Sequence, residues 1–245
     1  MRQLLLTLRY RGTNYHGFQV QKNARTVAST VQDAVERVFG ARLDVKGCSR
    51  TDAGVHANCF ALTLRTGSLI PCDALVRAMN VNLPEDIAVT ACREVADDFH
   101  PRYSCTGKRY LYRIHNSPLK DPFGADLALQ WKYPLDEKRM HLAAQGFCGT
   151  HDFAAFCSAG SSVKDTVRTI TAASVTREGE LVSFTVTGNG FLYNMVRIMT
   201  GTLLEVAAGK IHPEEIPAII ESRRREKAGA TAPAHGLYLD MVYYD

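Results

Sequence analysis

Residues 43–65, LDVKGCSRTDAGVHANCFALTLR, decide the fold that we predict for this chain. Two apolar stretches within it, residues 43–48 and 58–65, are typical of strands, and a polar segment joins them. Apolar residues at helical spacing precede the pair over residues 30–39, and a helix that opens at Pro71 follows it. The two strands therefore lie at the centre of a longer series of strands and helices.

Together with the elements predicted on either side of this pair of strands, the first half of the chain has the element order β-α-β-β-α-β. A strand over residues 3–10 comes first, and Thr30 is placed to cap the helix over 30–39. The second helix covers residues 71–79, and a strand over 87–95 closes the series.

The second half of the chain repeats this order of elements without any repeat of residues. The sequence predicts a long loop near 117–130 within it. Its predicted elements are a strand over 108–116, a helix over about 135–148, strands near 168–177 and 181–187, a long helix over about 190–208, a short helix after Pro213 and a closing strand over 236–244.

Two β-α-β-β-α-β series predict an α+β fold of two ferredoxin-like halves, residues 1–105 and 106–245. We expect the halves to share a central mixed, mainly antiparallel sheet, with helices on one face and a cleft on the other. Ferredoxin-like sheets are common RNA platforms, but the fold alone does not assign a function.

Composition excludes several classes of protein. Hydrophobic residues make up 46% and charged residues 22% of the 245 residues, which is ordinary for a globular chain and excludes a disordered, collagen-like or coiled-coil protein. No apolar run is long enough for a membrane span, and the charged start of the chain does not fit a secretory signal. These features favour a cytoplasmic protein.

The cysteines and histidines do not form a recognisable framework. Seven cysteines occur at long spacings without any C-x-x-C, which fits neither a set of disulfides nor a zinc site. We expect reduced thiols that serve as small core residues. The eight histidines are scattered singly, so we predict no metal site.

Positive charge is concentrated locally although the net charge is only +4. Residues 1–50 hold nine Lys and Arg against three acidic residues. Such local basic surface suits a polyanion that binds along one face, while ordinary solvated surface explains it equally well. Further basic residues cluster at Arg102, Lys108, Arg109 and Arg113, and at Arg223, Arg224, Arg225 and Lys227.

The densest polar cluster, residues 49–56, connects the two central strands and contains Asp52. Strand connections often present functional side chains, and a carboxylate can act as nucleophile or general base. Gly54 permits a tight backbone course that directs Asp52 outward. An Asx turn, in which Asp52 bonds its own backbone, explains the same spacing.

Several motifs in one order carry a resemblance that extends over nearly the whole chain. The sequence resembles the tRNA pseudouridine synthase A family, and its strongest match is the string R-T-D-A-G-V-H at 50–56. The other matching stretches are Y-x-G-x-x-Y-x-G-x-Q-x-Q at 10–21, N-L-P-E-D-I at 82–87, D-F-H-P-R at 98–102, K-R-Y-L-Y at 108–112, G-F-L-Y-N-M-V-R at 190–197 and G-L-Y-L at 236–239.

The chain departs from the family pattern at a few positions. Cys48 and Ser49 replace the usual A-G or S-G, and Phe18 stands where Trp is common. Residues 28–30 look like an insertion at the first helix. None of these positions is the candidate carboxylate.

The resemblance implies roles for four residues. Asp52 matches the catalytic nucleophile, and Arg197 matches the arginine that pairs with it as a counter-ion. Tyr110 matches a tyrosine that contacts the substrate, and Arg50 suits the filling of the space left by a flipped base. His56 is assigned a packing or RNA-contact role instead of proton transfer.

Each of these roles has an alternative from the residues alone. Tyr110 could be a core aromatic residue of an alternating strand, and Arg50 a surface or phosphate contact. Arg197 could lie on the surface of an amphipathic helix or bind a phosphate, although its apolar neighbours favour a buried partner. Further candidate phosphate contacts are Arg9, Arg11, Lys22, Arg25 and Lys108.

As an activity, the resemblance implies an isomerase of the pseudouridine synthase fold. It would convert uridine to pseudouridine at positions 38, 39 and 40 in the anticodon arm of tRNA, without a metal or a nucleotide cofactor and as a homodimer. Two other classes remain open from the residues: an RNA-binding module, and a hydrolase in which Asp52 acts with a second carboxylate. Release of the uracil C5 hydrogen distinguishes the isomerase from both.

Overall fold

The computed structural model describes residues 1–160 and 163–244, and over these residues the chain forms ten strands and five α-helices. No helix in this part of the chain is long and apolar enough to span a membrane. The elements are β1 (Arg2–Tyr10), α1 (Val27–Phe39), β2 (Lys46–Gly47), β3 (His56–Thr66), α2 (Cys72–Asn82), β4 (Ile87–Val95), β5 (Gly107–Asn116), β6 (Leu129–Trp131), α3 (Glu137–Gln145), β7 (Gly149–Asp152), β8 (Val167–Glu178), β9 (Leu181–Gly188), α4 (Met195–Ala207), α5 (Ile216–Ser222) and β10 (Leu237–Tyr243).

The chain divides into two compact units that each combine strands with helices, and this mixture confirms the predicted α+β class. The first unit is Met1–Thr106 together with Tyr238–Asp245, and the second is Gly107–Leu237. This division differs from the predicted halves, 1–105 and 106–245, at the closing strand. That strand, β10, groups with the first unit because it runs parallel to β3, with Tyr238 opposite His56.

The first unit has the strand order of a ferredoxin-like sheet. β1 lies between β4 and β3 and is antiparallel to both. The other edge of β3 is divided between two short partners. β2 pairs antiparallel with Leu62 and Thr63, and β10 pairs parallel with His56 and Ala57. The order β4-β1-β3-β2 is the one that the β-α-β-β-α-β series predicts.

Helix α1 begins one turn earlier than the sequence predicted. Thr26, and not Thr30, is the N-cap, and its hydroxyl accepts a hydrogen bond from the backbone N–H of Ser29 at 3.2 Å. The Ser29 hydroxyl accepts in return from the Thr26 N–H at 3.1 Å, which completes a capping box. Residues 28–30, which looked like an insertion, therefore form the first turn of α1.

Helix α2 packs on the edge strand β4. Leu75 and Met79 on its inner face are completely buried. The Asn80 side chain donates to the Val89 carbonyl and accepts from the Val89 N–H, both at 2.8 Å. The predicted helix and strand are both confirmed here, and α2 extends to Asn82.

The second unit contains the sheet β6-β5-β9-β8-β7. β5 is antiparallel to β9, which is antiparallel to β8, and helices α3 and α4 pack together beside them. The predicted main strands and helices are confirmed, whereas the short strands β6 and β7 were not predicted. β6 begins at Leu129, inside the segment expected to be a loop.

Helix α4 begins at Met195 and not near residue 190. The apolar residues Phe191 and Leu192 continue a helical pattern in the sequence, but Asn194 has a left-handed backbone with φ of 60° and interrupts it. Asparagine is among the residues that adopt this conformation at low cost. From Met195 onward nearly every side chain of α4 is buried.

The prediction that the thiols are small core residues is wrong for most of the cysteines. Across the described residues no disulfide joins any of the seven cysteines, and Cys48 alone among them is fully buried. The other six are partly accessible because they lie at strand faces, helix ends and connections rather than in the interior.

Candidate active site

The segment that carries Asp52 returns the chain from β2 into β3. It spans residues 48–55, and Asp52 within it is half-buried. The Val55 N–H donates to the Asp52 backbone carbonyl at 3.2 Å, and Gly54 has φ of +78°. This backbone turn requires the conformational freedom of glycine at position 54.

Residues 12–18, which we call the clamp, lie in backbone contact with this segment. The Phe18 N–H donates to the Thr51 carbonyl at 3.1 Å, and the Gly54 N–H donates to the Tyr15 carbonyl at 3.2 Å. At Gly17, where φ is +83°, an added Cβ would lie 2.3 Å from the Thr51 carbonyl oxygen. At Gly12 it would lie 2.0 Å from the Val55 carbonyl oxygen. Both positions thus require glycine, because the clamp lies too close to the Asp52 segment for a Cβ.

Two buried side chains tie the ends of the Asp52 segment to its surroundings. The Tyr10 and Thr51 hydroxyls form a hydrogen bond of 2.8 Å. His56 is only 1% exposed, and its Nδ1 accepts from the Gly12 N–H at 2.9 Å, so the ring proton lies on Nε2. The ring also packs against Tyr238 at 4.7 Å. His56 therefore has the packing role that was predicted as one of two possibilities.

Tyr15 anchors the clamp to the segment that precedes β4. Its hydroxyl donates to an Asp86 carboxylate oxygen at 2.5 Å, and the Arg25 guanidinium lies over its ring at 4.9 Å. Burial, assisted by the hydrogen bond to Asp86, raises the pKa of the Tyr15 phenol well above its usual value. The phenol therefore remains protonated and donates to Asp86.

Phe18 fills the space between the clamp and the sheet. Its ring stacks on Phe60 at 4.3 Å, and an added Cβ at Gly47 would lie 2.4 Å from its ring. Cys48, another departure from the family pattern, accepts the Ala61 N–H at its sulfur at 3.4 Å. These departures thus serve packing behind the Asp52 segment, whereas Arg50 in the same segment is exposed.

In the second unit, Tyr110 lies on β5 opposite Val186 of β9. It is 8% exposed and meets Phe191 edge-on at 4.9 Å. Two residues further along the strand, Tyr112 is completely buried and donates to the Pro233 carbonyl at 2.7 Å. Burial raises the pKa of Tyr112, and the nearby positive charge of Arg197 opposes that rise.

Arg197 lies in the first turn of α4 with its guanidinium fixed by hydrogen bonds. Its Nε donates to the Ala232 carbonyl at 2.7 Å, and one terminal nitrogen donates to the Asn194 side-chain oxygen at 2.8 Å. The Asn194 amide in turn donates to the Ser158 hydroxyl at 3.0 Å. The half-buried side chain is therefore not a mobile surface arginine of an amphipathic helix.

The segment that supplies the Ala232 carbonyl crosses α4 at backbone distance. An added Cβ at Gly201 would lie 1.7 Å from the Ala230 carbonyl oxygen, and one at Gly229 would lie 2.5 Å from the Thr202 nitrogen. The Thr202 hydroxyl accepts from the Gly229 N–H at 2.9 Å. Two glycines thus allow this segment to lie directly on the helix.

The sequence identified the charged residues but missed several of their supports. Thr51 and Asn194 were not singled out, although the αL tendency of asparagine was a usable signal. Across residues 1–160 and 163–244 no three His, Cys, Asp or Glu side chains are grouped so that they could hold a metal ion.

Comparisons with a family profile and with curated proteins point to the same family. A profile described as tRNA pseudouridine synthase matches residues 7–104 and 143–245. The chain is 51% identical to "tRNA pseudouridine synthase A" of Acetivibrio thermocellus over 244 residues and 47% identical to the protein of that name from Ruminiclostridium cellulolyticum over 245 residues, with full coverage of both chains in each case. Among solved structures, a chain of "Crystal Structure of a Cbf5-Nop10-Gar1 Complex" matches 97% of this chain over 57% of its own length, at 12% identity and a TM-score of 0.36.

Proposed function

Because the chain belongs to the tRNA pseudouridine synthase family, we propose that it isomerises uridine in the anticodon arm of tRNA, at positions 38, 39 and 40, with Asp52 as the nucleophile. The enzyme is an isomerase that converts uridine to pseudouridine in tRNA. The observation that carries the assignment of Asp52 is the backbone contact between the clamp and its segment. A carboxylate held in this way is suited to one fixed attack geometry.

The reaction rearranges the nucleotide without net oxidation. The bond between N1 of uracil and C1′ of ribose breaks, and a bond between C5 and C1′ forms. The C5 hydrogen leaves as a proton, and N1 gains one. Asp52 must be ionised to act as a nucleophile, and we assign the guanidinium of Arg197 as its counter-ion because a nearby cation stabilises the carboxylate.

Tyr110 and Arg50 complete the proposed site. Tyr110 would contact the uracil ring through its own ring or hydroxyl. A uridine stacked in an RNA stem must be flipped out before the carboxylate can reach it, and the exposed Arg50 would fill the space that the base leaves. Basic side chains further from Asp52 would bind phosphates and position the RNA.

We also propose that the enzyme acts in the cytoplasm as a homodimer, with one tRNA contacting both subunits. Light scattering at micromolar protein concentration measures the subunit number directly. A monomer that retains full activity would contradict the dimer without affecting the assignment of Asp52.

The decisive experiment measures tritium release from tRNA labelled at uracil C5. We expect release from a tRNA that carries uridines at 38–40 and none from a matched transcript with cytidines at these three positions. Pseudouridine formation expels the C5 hydrogen, whereas RNA binding or glycosidic hydrolysis does not. Release that persists in the cytidine transcript would show that the proposed positions are wrong.

A further inference from the structure

Helix α2 and strand β4 lie side by side in the first unit, outside the Asp52 segment. Asn80 fixes one end of the pair through its two hydrogen bonds with Val89. From Asn80 back to Cys72 is eight helical residues, or about 12 Å. From Val89 on to Cys92 is three strand residues, or about 10 Å. The alignment therefore brings Cys72 beside Cys92.

Both thiols lie on the faces that meet. Cys72 is three residues before Leu75 and seven before Met79, so it shares the buried face of α2. The pairing of β4 with β1 contains an irregularity, since Thr7 is opposite Ala91 and Leu8 is opposite Val89.

That β-bulge changes which residues of β4 face the helix. Cys92 is opposite Leu6 and Val89 is opposite Leu8, and Leu6 and Leu8 project from the same face of β1. Cys92 therefore lies on the side of the sheet that Val89 shares. Burial and, after it, the neighbouring Cys72 thiol raise the pKa of the Cys92 thiol, and both residues are partly accessible to solvent.

Arg2 connects the residues that precede α2 to strand β4. Its Nε donates to the Ser68 carbonyl at 2.8 Å, and its terminal nitrogens bond the Ile70 carbonyl and the Glu94 carboxylate. The residues just before Cys72 are thus tied to β4 two residues beyond Cys92.

We infer that Cys72 and Cys92 form an oxidation site, in which a peroxide converts the two thiols into an intramolecular disulfide that staples α2 to β4. In the first step hydrogen peroxide oxidises one thiol to a sulfenic acid and releases water. The second thiol then attacks that sulfur, the S–S bond forms, and a second water leaves. The thiols lose two electrons and the peroxide gains them.

The experiment treats the full-length protein with a small excess of hydrogen peroxide, blocks remaining thiols and maps peptides without reduction. We expect one cross-link, between Cys72 and Cys92, and a thermal midpoint higher by about 5–10 °C, because a crosslink restricts the unfolded chain. Dithiothreitol should reverse both changes. Cys72→Ser and Cys92→Ser should each abolish them, while Cys148→Ser, another partly accessible cysteine, should leave them intact.

A second measurement on the unmodified protein does not depend on variants. Phenylarsine oxide binds pairs of adjacent thiols, so one equivalent should protect Cys72 and Cys92 together from alkylation. A cross-link that involves any of the other five cysteines, no cross-link at all, or a cross-link that survives Cys72→Ser would overturn the inference.

Discussion

Two regions of the chain each hold a charged side chain beside a crossing segment, but they fix it by opposite means. Asp52 lies in an irregular connection whose backbone is held by the clamp through Gly12 and Gly17. Arg197 lies on a helix whose backbone position is set by its own hydrogen bonds and by buried neighbours. There the crossing segment bonds the guanidinium itself, through the Ala232 carbonyl.

The difference follows from the lengths of the two side chains and the regularity of their backbones. A short carboxylate is aimed by its backbone, so a loop that carries one must be held from outside. A long arginine has several rotatable bonds, so a rigid helix alone does not aim its head group. A substitution in the clamp should therefore displace the backbone that carries Asp52. A substitution around Arg197 should change only the direction of its guanidinium.

The largest effect is expected for Asp52→Asn, which keeps the shape of the side chain and removes its negative charge. Tritium release should fall by roughly 10⁴-fold or more, since an amide is not a nucleophile. The Kd for tRNA should change only a few-fold because affinity arises from many phosphate contacts. Asp44→Asn, at an exposed position just before β2, should leave both unchanged. Substantial isomerase activity in the Asp52→Asn variant would contradict the assignment of Asp52 as the nucleophile.

The clamp is tested next by Gly17→Ala, which adds a Cβ against the Thr51 carbonyl. We expect a loss of about 3 kcal/mol in the free energy of unfolding, from strain at positive φ together with overlap, and a fall in kcat of roughly 10-fold or more. Gly40→Ala is the matched control. It also has positive φ, but its Cβ meets nothing within 4 Å, so it should cost only about 1 kcal/mol and leave kcat unchanged. If Gly17→Ala and Gly40→Ala lower the free energy of unfolding equally in chemical denaturation, then the contact with the Thr51 carbonyl does not contribute to the cost at position 17.

In the second unit, Gly201→Ala tests the crossing segment on α4. Glycine to alanine in an open helix stabilises by up to about 1 kcal/mol. Here the added Cβ would overlap the Ala230 carbonyl, so we expect destabilisation by about 2–3 kcal/mol. Gly67→Ala, where a Cβ meets nothing within 4 Å, should change stability by less than about 0.5 kcal/mol. If Gly201→Ala instead stabilised the protein, the segment that contains Ala230 would have to move away from α4 at little cost in free energy.

The smallest effect is expected for Arg197→Lys, which keeps the charge but loses the planar group that Ala232 and Asn194 orient. The value of kcat should fall roughly 10-fold while the Kd for tRNA stays within a few-fold. Arg42→Lys, at an exposed surface ion pair, serves as the control and should change neither value. A fall in tRNA affinity as large as the fall in kcat would favour a phosphate contact for Arg197 over a counter-ion.

The main strands and helices could be predicted because their burial patterns are local. The strand over 87–95 was predicted with its observed ends, and β1 and β9 to within one residue, since apolar residues mark them. The start of α1 was misplaced because the apolar pattern favoured a cap at Thr30, whereas reciprocal hydrogen bonds between Thr26 and Ser29 place the cap at Thr26. The membership of β10 could not be predicted, since its pairing with β3 is non-local.

The candidate site shows the same limit. The motif around Asp52 points to the carboxylate, but no local pattern indicates that Gly17 and Gly12 each meet a carbonyl of that segment. Such contacts depend on how separate segments pack, as does the bond between the Gly12 N–H and His56. Sequence patterns thus indicated the proposed nucleophile more readily than the residues that hold its segment.

The divided edge of β3 has a consequence for the order in which the enzyme is assembled during its synthesis. The residues that begin β3, His56 and Ala57, directly follow the Asp52 segment, and they pair with β10. More than half of the chain lies between β3 and β10, so a ribosome makes the partner long after it makes the strand. Until then this part of the β3 edge has no partner strand, and the segment that carries Asp52, the proposed nucleophile, leads into an incomplete sheet. Because β10 follows the second unit in the chain, the sheet of the first unit gains its last strand only after the second unit has been translated.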